Sequence, residues 1–392
     1  MEFKIPFSGR SHTYTNDEIA VITAAANEAV PLTQGRHLRE FEAAFRDYAG
    51  VSHAFAVCNA TAALEMAAQL CRFRPGDEVI IPSHTFTSSA YPFAKKGAKL
   101  VWADIDLATQ VVTAKTIAER ITPRTRAIVV VHLYGYGADM PEIMALAKKH
   151  GLLIIEDAAQ ALGAKIDGRM VGSFGDFGVY SFHSHKNITT LGEGGMLTVR
   201  NPEVAAVVPM LRHNGHCDFP NKREDYWIPA MGNVDLPELS GEPLMPNNYC
   251  LGEVECALGT KLLERSDAMN DEKRERALHF IDGLADCHEL EFHRVTSSRH
   301  SYHLLVARLA NGWRDAFIRT MARKHGIQCV VQYYPLNRYP LYQKLGFGKA
   351  DCPNADMFFD NMVSFPFHHR LSIEELEQIV KAARQTIHDL RR

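Results

Sequence analysis

Between Gly178 and Val199 the chain reads GVYSFHSHKNITTLGEGGMLTV, and His183, His185 and Lys186 crowd its middle. Three chemistries suit such a cluster: a metal held by alternating histidines, a nucleophilic lysine, or a basic surface loop. A metal needs further ligands, and no carboxylate or cysteine stands at a ligand-like spacing beside His183-x-His185. No metal is expected, and a loop histidine bonded to backbone is the plainer reading. A lysine amine can do covalent chemistry once deprotonated, but it needs companions.

Three other segments, and Ser181 in the same stretch, offer them. CNATAAL opens a helix with small residues, so the backbone amides of Ala60 and Thr61 can approach a phosphate. PSHTF places Phe86 beyond an apolar run, where a ring can stack on a flat ligand. EDAAQ sets Asp157 at the end of LLII with Gln160 three residues on, and Ser181 stands five residues before Lys186. These are the parts that pyridoxal 5′-phosphate requires: an amine to hold its aldehyde as a Schiff base, an acid for its pyridine nitrogen, a phosphate grip and an aromatic cover. Singly, each has a duller explanation in packing, helix capping or solvation. Their common order and their strand-end placement carry the reading.

That placement follows from the elements. DEVIIPSH, AKLVWADID, RAIVVVHLYG and GLLIIEDAAQ are short runs, apolar throughout and ending in polar or small residues. Helical patterns such as DMPEIMALAKKHG lie between several of them. Such alternation predicts an α/β fold with a mostly parallel sheet covered on both faces. A sheet of this kind presents its ligands at the carboxyl ends of its strands, where residues 59–62, 84–86, His132 and Asp157 stand. In REFEAAFRDYAG, Leu38, Phe41, Phe45 and Tyr48 recur at helical spacing before Gly50.

Past Asp218 the texture changes. Residues 217–247 are rich in Pro, Gly and Asn without a period, which predicts a long loop or insertion. LGEVECALGTKLLERSDAMNDEKRERALHFIDGLAD then predicts one long helix, followed by strands (SYHLLVARL, CVVQYY) alternating with helices. The expected division is a large domain over 1–248 and a smaller C-terminal α/β domain over 249–392, entered by that helix.

Bulk properties narrow the function. The 392 residues carry a net charge of −3, with 46% hydrophobic and 23% charged residues, so no nucleic-acid footprint stands out. No run approaches the roughly 18 apolar residues of a membrane span, and the N-terminus lacks a signal-peptide pattern. The eight scattered cysteines read as reduced thiols. A cytoplasmic location is expected.

CNATAAL, PSHTF, EDAAQALGA, SFHSHKNITTLGEGG, NNYCLGEVECALG, YYPL and SFPFH resemble, in that order and over nearly the whole chain, the DegT/StrS-type sugar aminotransferases. The resemblance implies the pyridoxal-phosphate transferase fold type I. It implies that Lys186 forms the Schiff base, that Asp157 pairs with the pyridine nitrogen and that Gln160 bonds the phenolic oxygen. Phe86 would stack on the ring, while Ala60, Thr61 and Ser181 would bind the phosphate. Asn248 would reach the cofactor of a partner subunit, making the active site composite and the protein a homodimer. L-Glutamate would donate the amine and a keto sugar would accept it, for lipopolysaccharide or other amino-sugar synthesis.

Rivals and departures stay in view. One branch of the family carries histidine in the lysine slot and dehydrates sugars; another reading is a regulatory protein that keeps the fold. Here the slot holds Lys186. Cys250 follows NNY where the family often has Arg or Lys, and Gln332 and Asn337 replace histidines around YYPL. These changes leave room for a free keto sugar acid, such as an 8-oxo-3-deoxy-octulosonate, beside the default nucleotide-linked keto-deoxy sugar. His183, His185, Tyr333 and Asn337 are the candidate substrate residues. Arg212, His213, His216 and Arg338 are further basic groups that could meet a carboxylate.

Overall fold

The computed structural model describes residues 2–217, 233–239 and 241–392, so most of the expected 217–247 loop lies outside the described residues. Seven short strands form the central sheet: β1 (Ala54–Val57), β2 (Glu78–Pro82), β3 (Lys99–Ala103), β4 (Thr125–Val131), β5 (Leu153–Asp157), β6 (Phe177–Ser181) and β7 (Gly195–Val199). Their order is β1-β7-β6-β5-β4-β2-β3. From β3 to β6 every pairing is parallel, while β7 runs antiparallel to both β6 and β1. Strands β2, β5 and β6 are buried along nearly their whole length, which explains their continuous apolar character.

The helices that matter are α1 (Asn16–Glu28), α2 (Arg36–Ala49), α3 (Ala60–Leu70), α4 (Met140–His150), α5 (Glu253–Asp282) and α6 (Ile373–Leu390). Helix α2 buries Leu38, Phe41, Phe45 and Ala49, and ends where Gly50 adopts a left-handed φ of 66°. Fully burying each of the leucine and phenylalanine side chains contributes about 1.5–3 kcal/mol. Gly259 of α5 allows close approach to α2: a Cβ there would lie 2.6 Å from the Phe41 ring.

Helix α5 runs 30 residues, about 45 Å at 1.5 Å per residue, and belongs to both apolar cores. Cys256, Leu258, Leu262 and Met269 pack into the core around the central sheet. Ala277, Phe280 and Ile281 pack into a second core with α6 and an antiparallel sheet of β8 (Leu290–Phe292), β9 (Leu305–Leu309) and β10 (Met362–Phe365). Ile5 joins this second core, and Tyr342, Cys352 and Phe358 join the first. Among the described residues the chain thus crosses between the cores at least four times.

One expected element is absent. CVVQYY is not a strand: Ile327 and Val330 make single bridges to Ile5 and Ser364, and no ladder continues beyond them. Past Val330 the chain turns toward the large sheet, where Tyr333 Oη accepts from Gln160 Nε2 at 3.0 Å.

Candidate active site

Successive residues of a strand face opposite sides, and at the end of β5 this separates two carboxylates. Glu156 is fully buried and accepts from the backbone N–H groups of Gly172 (2.7 Å), Phe174 and Gly175 (2.6 Å each). It also accepts from His132 Nε2 at 3.0 Å. His132 Nδ1 accepts from Ala138 N, so the proton sits on Nε2 and a neutral ring suffices. Glu156 is structural. Asp157 opens onto a cleft, held there by Ser89 Oγ (2.7 Å) and by the backbone N–H of Ala159 (3.1 Å).

Strand β6 ends at Ser181, and the chain then forms the loop that carries Lys186. Its backbone turns on itself: Lys186 N–H donates to His183 O (2.8 Å) and Ser184 N–H to Gly192 O (3.0 Å). The return strand β7 begins against the start of α3. A Cβ on Gly195 would lie 2.5 Å from the carbonyl carbon of Asn59 and 2.6 Å from Ala60 N, so only glycine permits this contact. Asn59 caps α3 by accepting from Ala62 N at 2.9 Å. The N–H groups of Ala60 and Thr61 find no acceptor among the described residues, and both residues line the cleft. The positive end of the helix dipole adds to their pull on an anion.

These parts surround a cavity of about 510 Å³. Lys186 reaches into it, and its Nζ makes no hydrogen bond among the described residues. Burial pulls its amine down to about 8, with the Asp157 carboxylate pulling the other way. Gln160 Oε1 accepts from Tyr134 N (2.8 Å) and its Nε2 donates to Tyr333 Oη (3.0 Å). Burial raises the Tyr333 phenol to about 12, so it stays protonated. Phe86 is 53% exposed, unusual for a phenylalanine this near a buried strand; the exposed face is part of the cavity wall, edge-on to Tyr333 at 6.1 Å.

Most of the sequence-predicted residues meet here: Ala60, Thr61, Phe86, Asp157, Gln160, Ser181, His183, His185, Lys186 and Tyr333 all line the cavity. Others do not. Asn337 is buried outside the described lining, on the single turn Leu336–Arg338 beneath Ser83. Asn248 is exposed and away from the cavity of its own chain. Arg212 is spent on the core, paired with Glu42 (2.5 Å) and the carbonyl of Ala56 (2.6 Å). Arg338 pairs with Asp356, and His213 packs against His216 outside the lining.

Sequence reasoning missed Ser11, Ser89, Lys273, His303 and His368, which also line the cavity. The first four come from distant segments with no motif of their own, while His368 ends SFPFH, a motif to which no role was assigned. Gln332 was noticed only as a departure, yet it too is in the wall. Among the described residues no group of three His, Cys, Asp or Glu could hold a metal ion. No helix among them is long and apolar enough to cross a membrane.

Pyridoxal phosphate fits this arrangement on the geometry alone. A buried amine with a lowered pKa meets an anchored carboxylate across one cavity, and two free backbone donors sit where a glycine strand leaves room. The comparisons agree. Residues 13–384 match the DegT/DnrJ/EryC1/StrS aminotransferase family. The chain is 35% identical to GDP-perosamine synthase of Caulobacter vibrioides, covering 90% of this chain and 91% of that one. Its fold superposes on PseC of Helicobacter pylori, an aminotransferase of pseudaminic acid biosynthesis, with a TM-score of 0.88 at 26% identity over 99% and 100% of the two chains. A Streptococcus pneumoniae protein solved in a PLP form gives 0.85 at 27% identity, over 98% and 99%. The fold is that of the type I pyridoxal-phosphate enzymes.

Proposed function

The chain belongs to the DegT/DnrJ/EryC1/StrS aminotransferase family, whose enzymes use pyridoxal phosphate, and from that premise we propose that it moves an amino group from L-glutamate to a keto sugar. Bound in the cavity, pyridoxal phosphate would supply the electron sink that the transfer needs. Everything else falls to the chain's own residues.

Lys186 Nζ would hold the cofactor's aldehyde carbon, which requires the neutral amine that burial favours. When not holding the cofactor, the same Nζ is the group that would take a proton from the donor's α-carbon and deliver it to the cofactor side, as general base and then acid. Asp157 would pair with the ring nitrogen; the hydrogen bonds from Ser89 Oγ and the Ala159 N–H fix where its carboxylate stands. Gln160, fixed at both ends of its amide, orients toward the phenolic oxygen. Phe86 covers the ring, and Ala60, Thr61 and Ser181 receive the phosphate.

The acceptor is read from the rest of the wall. Ser11 Oγ, His303 Nδ1, Gln332 Oε1 and His368 Nδ1 are buried, line the cavity and have no partner among the described residues. An unmet buried polar atom costs about 1–3 kcal/mol, so a ligand with several hydroxyls is the natural complement. That observation carries the sugar assignment. The default acceptor is a nucleotide-linked keto-deoxy sugar, as the name of the Caulobacter relative suggests. A free sugar acid such as an 8-oxo-3-deoxy-octulosonate is the second reading, favoured by Gln332 standing where the family has histidine. The product serves surface-polysaccharide synthesis in the cytoplasm. The enzyme acts as a homodimer, Asn248 crossing to the partner's cofactor, which its exposure outside its own cavity supports.

Spectroscopy tests this. L-Glutamate should bleach the visible band of the lysine-bound cofactor, and a keto sugar should restore it. Failure of every nucleotide-linked and free keto sugar to do so would remove the sugar assignment.

A further inference from the structure

Lys186 sits on a loop with no strand or helix of its own, so something outside the loop must fix it. The next residue, Asn187, is 5% exposed and uses its whole amide. Nδ2 donates to Asn270 Oδ1 (2.7 Å) and to the carbonyl of Ser301 (3.1 Å), while Oδ1 accepts from Lys273 Nζ (3.1 Å). Lys273 Nζ also donates to the carbonyl of His303 at 3.0 Å. Asn270 and Lys273 stand three residues apart on one face of α5, 3% and 2% exposed. Asn270 Nδ2 completes the set by donating to Leu162 O at 2.9 Å, just past the end of β5.

A buried lysine is costly, and this one makes no ion pair among the described residues. Burial pulls its amine down to about 7. Its two hydrogen bonds go to the lysine loop and to the segment leading into β9, and both would be left unmet by an apolar side chain. Since α5 is shared by both cores, the contact ties the reactive loop to the packing of the small domain.

We propose that Lys273 and Asn187 form a positioning clamp that holds the Lys186 loop against α5 and the 301–303 segment. The clamp acts through the Lys186 loop and sets where Lys186 Nζ can go, although Lys273 also lines the cavity. This rests on the reading of Lys186 given above, but its first test does not.

Hydrogen exchange of the full chain without cofactor compares the wild type with Lys273→Met, Asn187→Ala and Lys273→Arg. Amides of residues 183–192 should exchange at least about tenfold faster in the first two and near wild-type rates in Lys273→Arg, which keeps its donors. Equal protection in Asn187→Ala overturns the clamp, and that variant decides alone if Lys273→Met does not fold. In the loaded enzyme, the L-glutamate half-reaction should lose about 10- to 100-fold in rate in Asn187→Ala, with half-saturation by glutamate changed less than threefold. A loss confined to glutamate affinity would also overturn it. If the wild type captures no pyridoxal phosphate at Lys186, the proposed function fails, while the exchange result still decides the clamp.

Discussion

The two walls of the cavity are built on opposite principles. The wall from the large sheet, residues 59–61, 85–89, 157–160 and 181–193, has the buried side chains around the reactive Lys186 paired before any ligand arrives: Asp157 with Ser89 and Ala159, Gln160 with Tyr134 and Tyr333. The wall from the N-terminal segment and the chain beyond residue 300 carries the four unmet atoms of Ser11, His303, Gln332 and His368. The first wall meets the same cofactor in every turnover, and pre-paired groups need no rearrangement to receive it. The second must exchange donor for acceptor, and open hydrogen-bonding positions suit a surface that repeatedly fills and empties. The difference separates catalytic machinery from specificity.

The sharpest break of the comparison is Lys186→Ala on the first wall. It should abolish the visible band and cost at least about 10³-fold in turnover, with the fold intact by circular dichroism. Asp157→Asn should come next, lowering the rate of the glutamate half-reaction by about 100-fold and weakening cofactor retention, because an amide cannot hold the ring-nitrogen proton as a charged pair. A retained rate would mean that the anchored acid does not face the ring.

On the second wall the expected pattern reverses. Gln332→Leu or Ser11→Ala should leave the glutamate half-reaction within about twofold while lowering acceptor kcat/KM by about 10-fold, as for one lost hydrogen bond to a ligand. Their melting temperatures should stay level or rise, since each removes an unmet buried polar atom. A fall in stability would show that the atom was satisfied all along.

The smallest effects are those of pH. Because burial lowers Lys186 to about 8, its neutral fraction grows about tenfold per pH unit below that value and levels off above it. Capture of pyridoxal phosphate by the cofactor-free chain should follow that curve, where an exposed lysine would still be climbing near pH 10. The second wall should add nothing between pH 5 and 8, since burial lowers His368 to about 4 and His303 well below its ordinary value. Stopped-flow absorbance checks both limbs.

Much of the first wall was legible in the sequence. Asp157, Gln160, Ser181 and Lys186 stand at fixed offsets from the ends of two buried strands, and parallel topology brings strand ends together. The N-terminal start of α3 announced itself through the small residues after Asn59. Ser89 was not legible, because it reaches Asp157 from a one-turn helix that no periodicity marks. Arg212 misled as a candidate ligand: its charge looks free in sequence and is spent in the core on Glu42, 170 residues away.

By itself the sequence determined the layered α/β sheet, the long helix α5 and the residue that occupies the lysine slot. These depend on apolar runs, helical spacing and short-range motifs, all written within some 30 consecutive residues. Only the tertiary structure decided which side chains form the second wall, that Asn337 stays outside the described cavity lining, and that Lys273 bonds to Asn187. Those facts join segments more than 80 residues apart, and a buried hydrogen bond is a property of where two segments meet, which local pattern does not encode.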